Sequence, residues 1–265
     1  MKKYFQILKL TLEEYLAYRL NFILWRFRSL VFFLSLFFFW LAIYGTKDEF
    51  LGYQKPQMLA YVVGIAFLRS LVLGSRLSDL AGQIRSGELT RLLLRPLGML
   101  SYWFSRDLVD KGLNLFFTVI EVGAVLFIFK FPFYFPQTST TYLQFALLVI
   151  LAVLLYFFLS FFLSSIAFWT EEIWATRWLF GIIFLEFLAG AFFPIDVLPS
   201  GLQRIIYLTP FPYLVFFPLK VWLEQLSPGL IWQAVGVCSF WLIGFYGLAR
   251  WLWQKGARNY GAYGG

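Results

Sequence analysis

Residues 142 to 169 read Tyr142-Leu-Gln-Phe-Ala-Leu-Leu-Val-Ile-Leu-Ala-Val-Leu-Leu-Tyr-Phe-Phe-Leu-Ser-Phe-Phe-Leu-Ser-Ser-Ile-Ala-Phe-Trp169 and contain no charged side chain. A helix needs about 20 predominantly apolar residues to cross the hydrocarbon core of a bilayer, so this run is predicted to span a membrane. Five further stretches, at about 22–44, 57–73, 112–131, 178–193 and 229–253, are also predominantly apolar. Together they predict an all-α membrane protein with six transmembrane helices.

Composition agrees with that reading. Of 265 residues, 61% are hydrophobic, 23% aromatic and 14% charged, where soluble domains carry about 25% charged residues. The connections leave no room for a separate soluble catalytic domain, so residues 1–265 are read as one membrane-embedded domain. Histidine is absent, and the one cysteine, Cys238, sits inside an apolar run. An intrachain disulfide, a His/Cys metal cluster and a Ser-His or Cys-His dyad are therefore excluded, and with them most hydrolytic mechanisms. The net charge of +8 is spread beside apolar runs without forming a continuous polar patch, which fits membrane orientation better than nucleic-acid binding.

Residues 4–20 place Phe5, Leu8, Leu12, Tyr15 and Leu16 on one helical face and Lys2, Gln6, Lys9 and Glu13 on the other. That pattern predicts an N-terminal amphipathic interfacial helix. Lys9, Glu13 and Glu14 interrupt what would be the apolar centre of a signal peptide, so the segment is expected to be retained. Arg26 and Arg28, at the start of the first span, can reach toward headgroups, and Arg69, near the end of the second, can do the same. With alternate loops counted, sixteen Lys and Arg fall on one side and five on the other. The excess places both termini and the segment 74–111 in the cytoplasm of a multi-pass protein of the cell membrane.

Within that segment, residues 75–96 carry Leu77, Leu80, Ala81 and Ile84 on one helical face, are interrupted at Ser86 and Gly87, and stop at Pro96. Ser86 is expected to cap a second short helix with Glu88 in its first turn. Two short helices and a kink make either a docking knob or an interfacial loop that merely joins two spans. On the opposite side, Pro194, Pro199, Pro210, Pro212 and Pro218 break residues 194–228 into short pieces, because proline blocks helix continuation. These form either a re-entrant or surface helix pair that closes an external gate, or an ordinary capped loop. Glu121 and Glu186 fall within the predicted third and fifth spans. A carboxylate at that depth costs about 2.5–3.5 kcal/mol on insertion scales, so both should face protein or water. They either line a translocation path or are protonated or hydrogen-bonded carboxyls at a helix contact, near Asn114 or a threonine.

Two motifs resemble the permease subunit of type-2 ABC transporters, exporter class. One is Ile84-Arg-Ser-Gly-Glu-Leu-Thr-Arg-Leu-Leu-Leu-Arg-Pro96; the other runs from Gly190-Ala-Phe-Phe-Pro194 through Leu198-Pro199 to Thr209-Pro210-Phe-Pro-Tyr213. The resemblance implies a permease that is not an enzyme. It would pair with a second permease, the same or a similar chain, around a translocation path among membrane lipids, and be driven by cytoplasmic ABC ATPase subunits. It also implies a coupling helix between spans two and three, with Gln83, Ile84, Arg85, Gly87, Glu88, Leu89, Arg91, Leu93, Arg95 and Pro96 meeting the ATPase and Ile84, Leu89 and Leu93 as its apolar knobs. ATP and Mg would be bound by that partner, because the chain has no Gly-x-x-x-x-Gly-Lys-[Ser/Thr] to cradle phosphates and so no cofactor site of its own. Leu80-Ala-Gly-Gln83 is one residue short of the nucleotide-binding Leu-Ser-Gly-Gly-Gln and lies in the wrong kind of segment. The competing class is a proton-coupled secondary transporter using Glu121 and Glu186 as relays. The aromatic-rich spans suit lipids, amphipathic drugs or lipid-linked glycans equally as cargo.

Overall fold

In the computed structural model, residues 2–45, 47–130, 134–170 and 185–260 are described. Helix α1 (Lys2–Ala17) ends at Tyr18, whose φ of −100° and ψ of 39° break the helix before α2 (Arg19–Tyr44). Helix α2 stops at Gly45, which takes a positive φ of 48° and donates its N–H to the Leu41 carbonyl at 3.1 Å. The connection that follows contains a two-stranded antiparallel hairpin, β1 (Glu49–Phe50) and β2 (Tyr53–Gln54). Leu51 and Gly52 both adopt positive φ (53° and 79°), the requirement of a two-residue turn whose twist matches that of the strands.

Helix α3 (Lys55–Leu68) starts with Pro56 in its first turn and the Gln54 N–H donating to Gln57 Oε1 at 3.2 Å. It continues without a break as a π-helix, Arg69–Leu73. Two short helices, α4 (Leu77–Arg85) and α5 (Leu89–Leu93), precede α6 (Met99–Phe129). Ser86 closes α4, its N–H donating to the Gly82 carbonyl at 2.9 Å, and it does not cap α5. Helix α6 starts thirteen residues before the predicted third span. Its early polar residues are tolerated because they pair along the helix, Lys111 with Asp107 and Arg106 with the Tyr102 hydroxyl, each at i, i+4. Helix α7 (Ser139–Ser165) matches the run quoted at the outset and ends in a 3₁₀ turn, Ile166–Phe168.

Residues 178–184 of the predicted fifth span, 178–193, lie outside the described residues; its described part, 185–193, forms a π turn, turns and bends. The proline-punctuated segment folds as a 3₁₀ turn (Ile195–Val197), α8 (Ser200–Tyr207), a second 3₁₀ turn (Phe211–Tyr213) and α9 (Phe216–Trp222). The first and second halves of this segment are bent by 79°. Helix α10 (Pro228–Asn259) completes the chain. Five described helices are long and apolar enough to cross a membrane, or six if the bent pair counts as one span.

Helix α3 is the central post. More than half of its span window, 56%, is buried, against 17–39% for the other spans. Met58 to Val63 are all buried, and Gly64 lets α9 approach so closely that a Cβ there would lie 2.3 Å from Leu219 Cδ2. Lipid is as apolar as leucine, so close packing and polar pairing, more than a hydrophobic drive, hold such helices together. A second buried cluster gathers Ile7, Leu77, Leu80, Trp103, Phe161 and Ala249. The chain thus has a basic end, built from α1, α4, α5, the start of α6 and the ends of α7 and α10, and a proline end opposite.

Candidate functional site

The apolar face of α4 and α5 is turned inward. Ile84 and Leu89 are 5% and 0% exposed and belong to the second cluster, so they cannot serve as outward knobs. What the pair presents to solvent is Arg85, Glu88, Arg91, Leu93, Arg95 and Pro96, with Gln83 and Gly87 half-buried. Leu94, which the motif reading passed over, is 83% exposed and is the most prominent apolar side chain there. Its place could have been read from the helical spacing, because Leu89 and Leu92 take the buried positions on the same short helix. Gly87 joins the two helices with φ +78° and open space where a Cβ would stand.

Behind that rim lies a polar lock that ties α1 to the segment. Glu14 meets Arg106 at 2.6 Å and Arg76 at 3.4 Å, and Arg76 also reaches Asp79 at 3.7 Å. The Arg76 guanidinium stacks 4.3 Å over the Tyr15 ring, whose hydroxyl donates to Asp110. Burial first, then the Asp110 carboxylate, pushes the Tyr15 phenol above its ordinary pKa. Lys111, almost fully buried, pairs with Asp107 at 3.3 Å and donates to the carbonyls of Val72 (3.1 Å) and Gly74. It thereby satisfies carbonyls that the end of the π-helix leaves open. The pairs that join α1 or the end of the π-helix to distant residues could not be read from periodicity.

Deeper in the bundle, Glu121 and Glu186 each meet an arginine. Arg26 donates to both oxygens of Glu121, through Nε at 3.0 Å and through Nη2, and also to Asn114 Oδ1 (3.3 Å) and Thr118 Oγ1 (3.2 Å). Arg69 donates to Glu186 and stacks 3.9 Å over the Phe32 ring. Both arginines were expected to reach for headgroups. They stay with the protein because a buried carboxylate offers a charge-assisted, multiply bonded partner. Arg69 opens one π-helical stretch and Glu186 sits in another.

The proline end is stitched to α2, α3 and the hairpin. Tyr53 donates from 2.8 Å to the Asp196 carboxylate, and Lys220 donates to Asp196 (2.7 Å), to the Tyr53 hydroxyl (3.0 Å) and to Gln225. Burial, then Asp196, raises the Tyr53 pKa. Tyr61 donates to the Gly190 carbonyl at 2.8 Å, and Trp40 Nε1 to the Phe192 carbonyl at 3.1 Å. Pro194, Pro210 and Pro212 are buried in this assembly and Pro199 is exposed at the start of α8. Glu224 accepts from the backbone N–H groups of Gln137 (3.2 Å) and Thr138 (3.0 Å), and from Tyr134 and Thr141, at the start of α7.

A bundle of five described helices, or six with the bent pair, each long and apolar enough to cross a membrane, agrees with the sequence comparison. The model of the ABC-2 family transporter protein matches residues 30–264. The chain belongs to the ABC-2 transporter family. Comparison with curated proteins and with solved structures finds no match to either. As an ABC-2 family permease it is a multi-pass membrane component of an ABC transporter, not a catalytic one.

Proposed function

We propose that this chain is the permease subunit of an ATP-driven exporter in the cell membrane, with both termini cytoplasmic. It would form half of a translocation path that a second permease completes. A separate ATPase, holding ATP and Mg, would press on the rim formed by Gln83, Arg85, Gly87, Glu88, Arg91, Leu93, Leu94, Arg95 and Pro96. The observation that carries this reading is the split of α4 and α5 into an inward apolar face and an outward charged one. A push on the rim is received by a body already fixed to α1, α6 and α7. The Ser164 hydroxyl, for example, donates to the Leu77 carbonyl at 2.7 Å. Rim charges would set register and encounter with the ATPase, and Leu93 and Leu94 would supply the apolar contact.

Copurification of the chain with its ATPase tests this directly. Reversing Arg91 and Arg95 to Glu should weaken recovery of the ATPase by about tenfold, a loss of roughly 1.4 kcal/mol. Undiminished recovery and unchanged permease-stimulated ATP hydrolysis would remove the rim from the interface. The proton-coupled alternative is not favoured, because Glu121 and Glu186 each already have a guanidinium partner. Transport that persists without ATP but collapses with the proton gradient would reverse that choice. We infer that Glu121 and Glu186 act on the path through these pairs, and that the prolines at 194, 199, 210 and 212 shape an external gate.

A further inference from the structure

The last turns of α10 carry cations with no acid to match. Arg250, Lys255 and Arg258 enter no ion pair among the described residues, whereas Arg26, Arg69, Arg76, Arg106, Lys111 and Lys220 each meet a carboxylate. No acidic residue occurs anywhere from Pro228 to Gly265. Two cavities open beside these cations and share Gln254. One, of about 290 Å³, lies between residues 98–101 at the start of α6 and Tyr246, Arg250 and Trp253 of α10; the other, of about 330 Å³, is bounded by Trp251, Lys255 and Arg258. Because positions 250, 254 and 258 are spaced by four residues, they form one stripe along the helix.

Two of the cations, Arg250 and Lys255, are held in place without being neutralised. Arg250 Nη1 donates to the Tyr246 hydroxyl at 2.9 Å, and Lys255 Nζ stands 5.3 Å over the Trp251 ring. Tryptophans at a span's end mark headgroup depth, and the same helix leaves Phe240 and Ile243 about 70% exposed on the side of the bilayer core. A guanidinium fork matches phosphate oxygens, and the amide of Gln254 adds donors.

We propose that this groove binds the phosphate of an anionic phospholipid, gripped by Arg250, Gln254 and Arg258, with its acyl chains along Phe240 and Ile243. The proposal is independent of the ATPase reading above. The full chain, purified in detergent, is offered equimolar phosphatidylglycerol and phosphatidylcholine, and retained lipid is read by native mass spectrometry. Phosphatidylglycerol should be retained about fivefold in preference. The R250Q/K255Q/R258Q variant should bring the two lipids to parity. R85Q/R91Q/R95Q, which removes as many charges from the α4–α5 rim, should keep the preference. Equal retention by the unaltered chain, or loss of preference in both variants, overturns the proposal. So does displacement of phosphatidylglycerol by millimolar inorganic phosphate, which would mark a site for a soluble anion. If the triple variant does not fold, R250Q and R258Q singly should each lower the ratio, and unchanged ratios in both count against the site.

Discussion

Arg26 directs all three guanidinium nitrogens at α6, toward Glu121, Asn114 and Thr118. Removing one partner of such a buried pair leaves an uncompensated charge, which costs about 3–5 kcal/mol. Arg26→Ala should therefore lower the unfolding midpoint of the purified protein sharply, while the double change R26M/E121M should lose less, as a double-mutant cycle would show. Glu224 behaves differently because it is at the surface. Hydrogen bonds from the Gln137 backbone first, then from Thr138, Tyr134 and Thr141, hold its carboxyl at about 2. A depressed folded-state pKa gives stability that is present above the ordinary value of about 4.3 and is lost as pH falls through about 2. The difference in melting temperature between the unaltered chain and Glu224→Gln should be constant above about pH 5 and shrink between about pH 4.3 and pH 2. At this scale the sequence was partly legible. The cost of burying Glu121 says that it needs a partner, and Asn114 and Thr118 are within helical reach, but Arg26 is 95 positions away and nothing in local spacing links the two.

Two glycines at helix junctions carry consequences for whole elements. Gly87 takes a left-handed conformation that costs an L residue roughly 1–2 kcal/mol, and the space around it is open. Gly87→Val should leave the protein level near normal while lowering permease-stimulated ATP hydrolysis, and Gly87→Asn, which tolerates this conformation, should retain it. Gly190 is left-handed as well, but a Cβ there would lie 2.8 Å from the Tyr61 hydroxyl and 3.2 Å from Phe216 Cβ. Gly190→Ala should thus destabilise the clamp at the proline end, seen as loss of folded protein on size exclusion. The kink at Ser86 and Gly87 and the proline breaks are legible because glycine and proline act locally. The early start of α6 was not, since Arg106, Asp110 and Lys111 read as loop residues until their partners on α1 and the π-helix are seen.

For the molecule as a whole, the charge count and the apolar runs carry most of the architecture, because insertion into a bilayer depends on summed hydropathy more than on any one contact. Cys238 is 0% exposed, so the native thiol should be silent toward membrane-impermeant maleimides. New cysteines at Glu88, on the basic end, and at Leu202, on the proline end, should then label from opposite sides of sealed vesicles; labelling from the same side would refute the proposed orientation. The polar lock escaped sequence reading because it joins α1 and the end of the π-helix to α6, segments far apart along the chain.

The π-helix at Arg69–Leu73 has one more consequence. A helix advances by about 100° per residue, and a π turn accommodates a residue that an α turn would not. Deleting one residue from this stretch would restore ordinary winding and rotate either Arg69 away from Glu186 or the Val72 and Gly74 carbonyls away from Lys111. The surplus residue is what lets one helix keep two unrelated appointments, a phase correction set between the bilayer and the basic end.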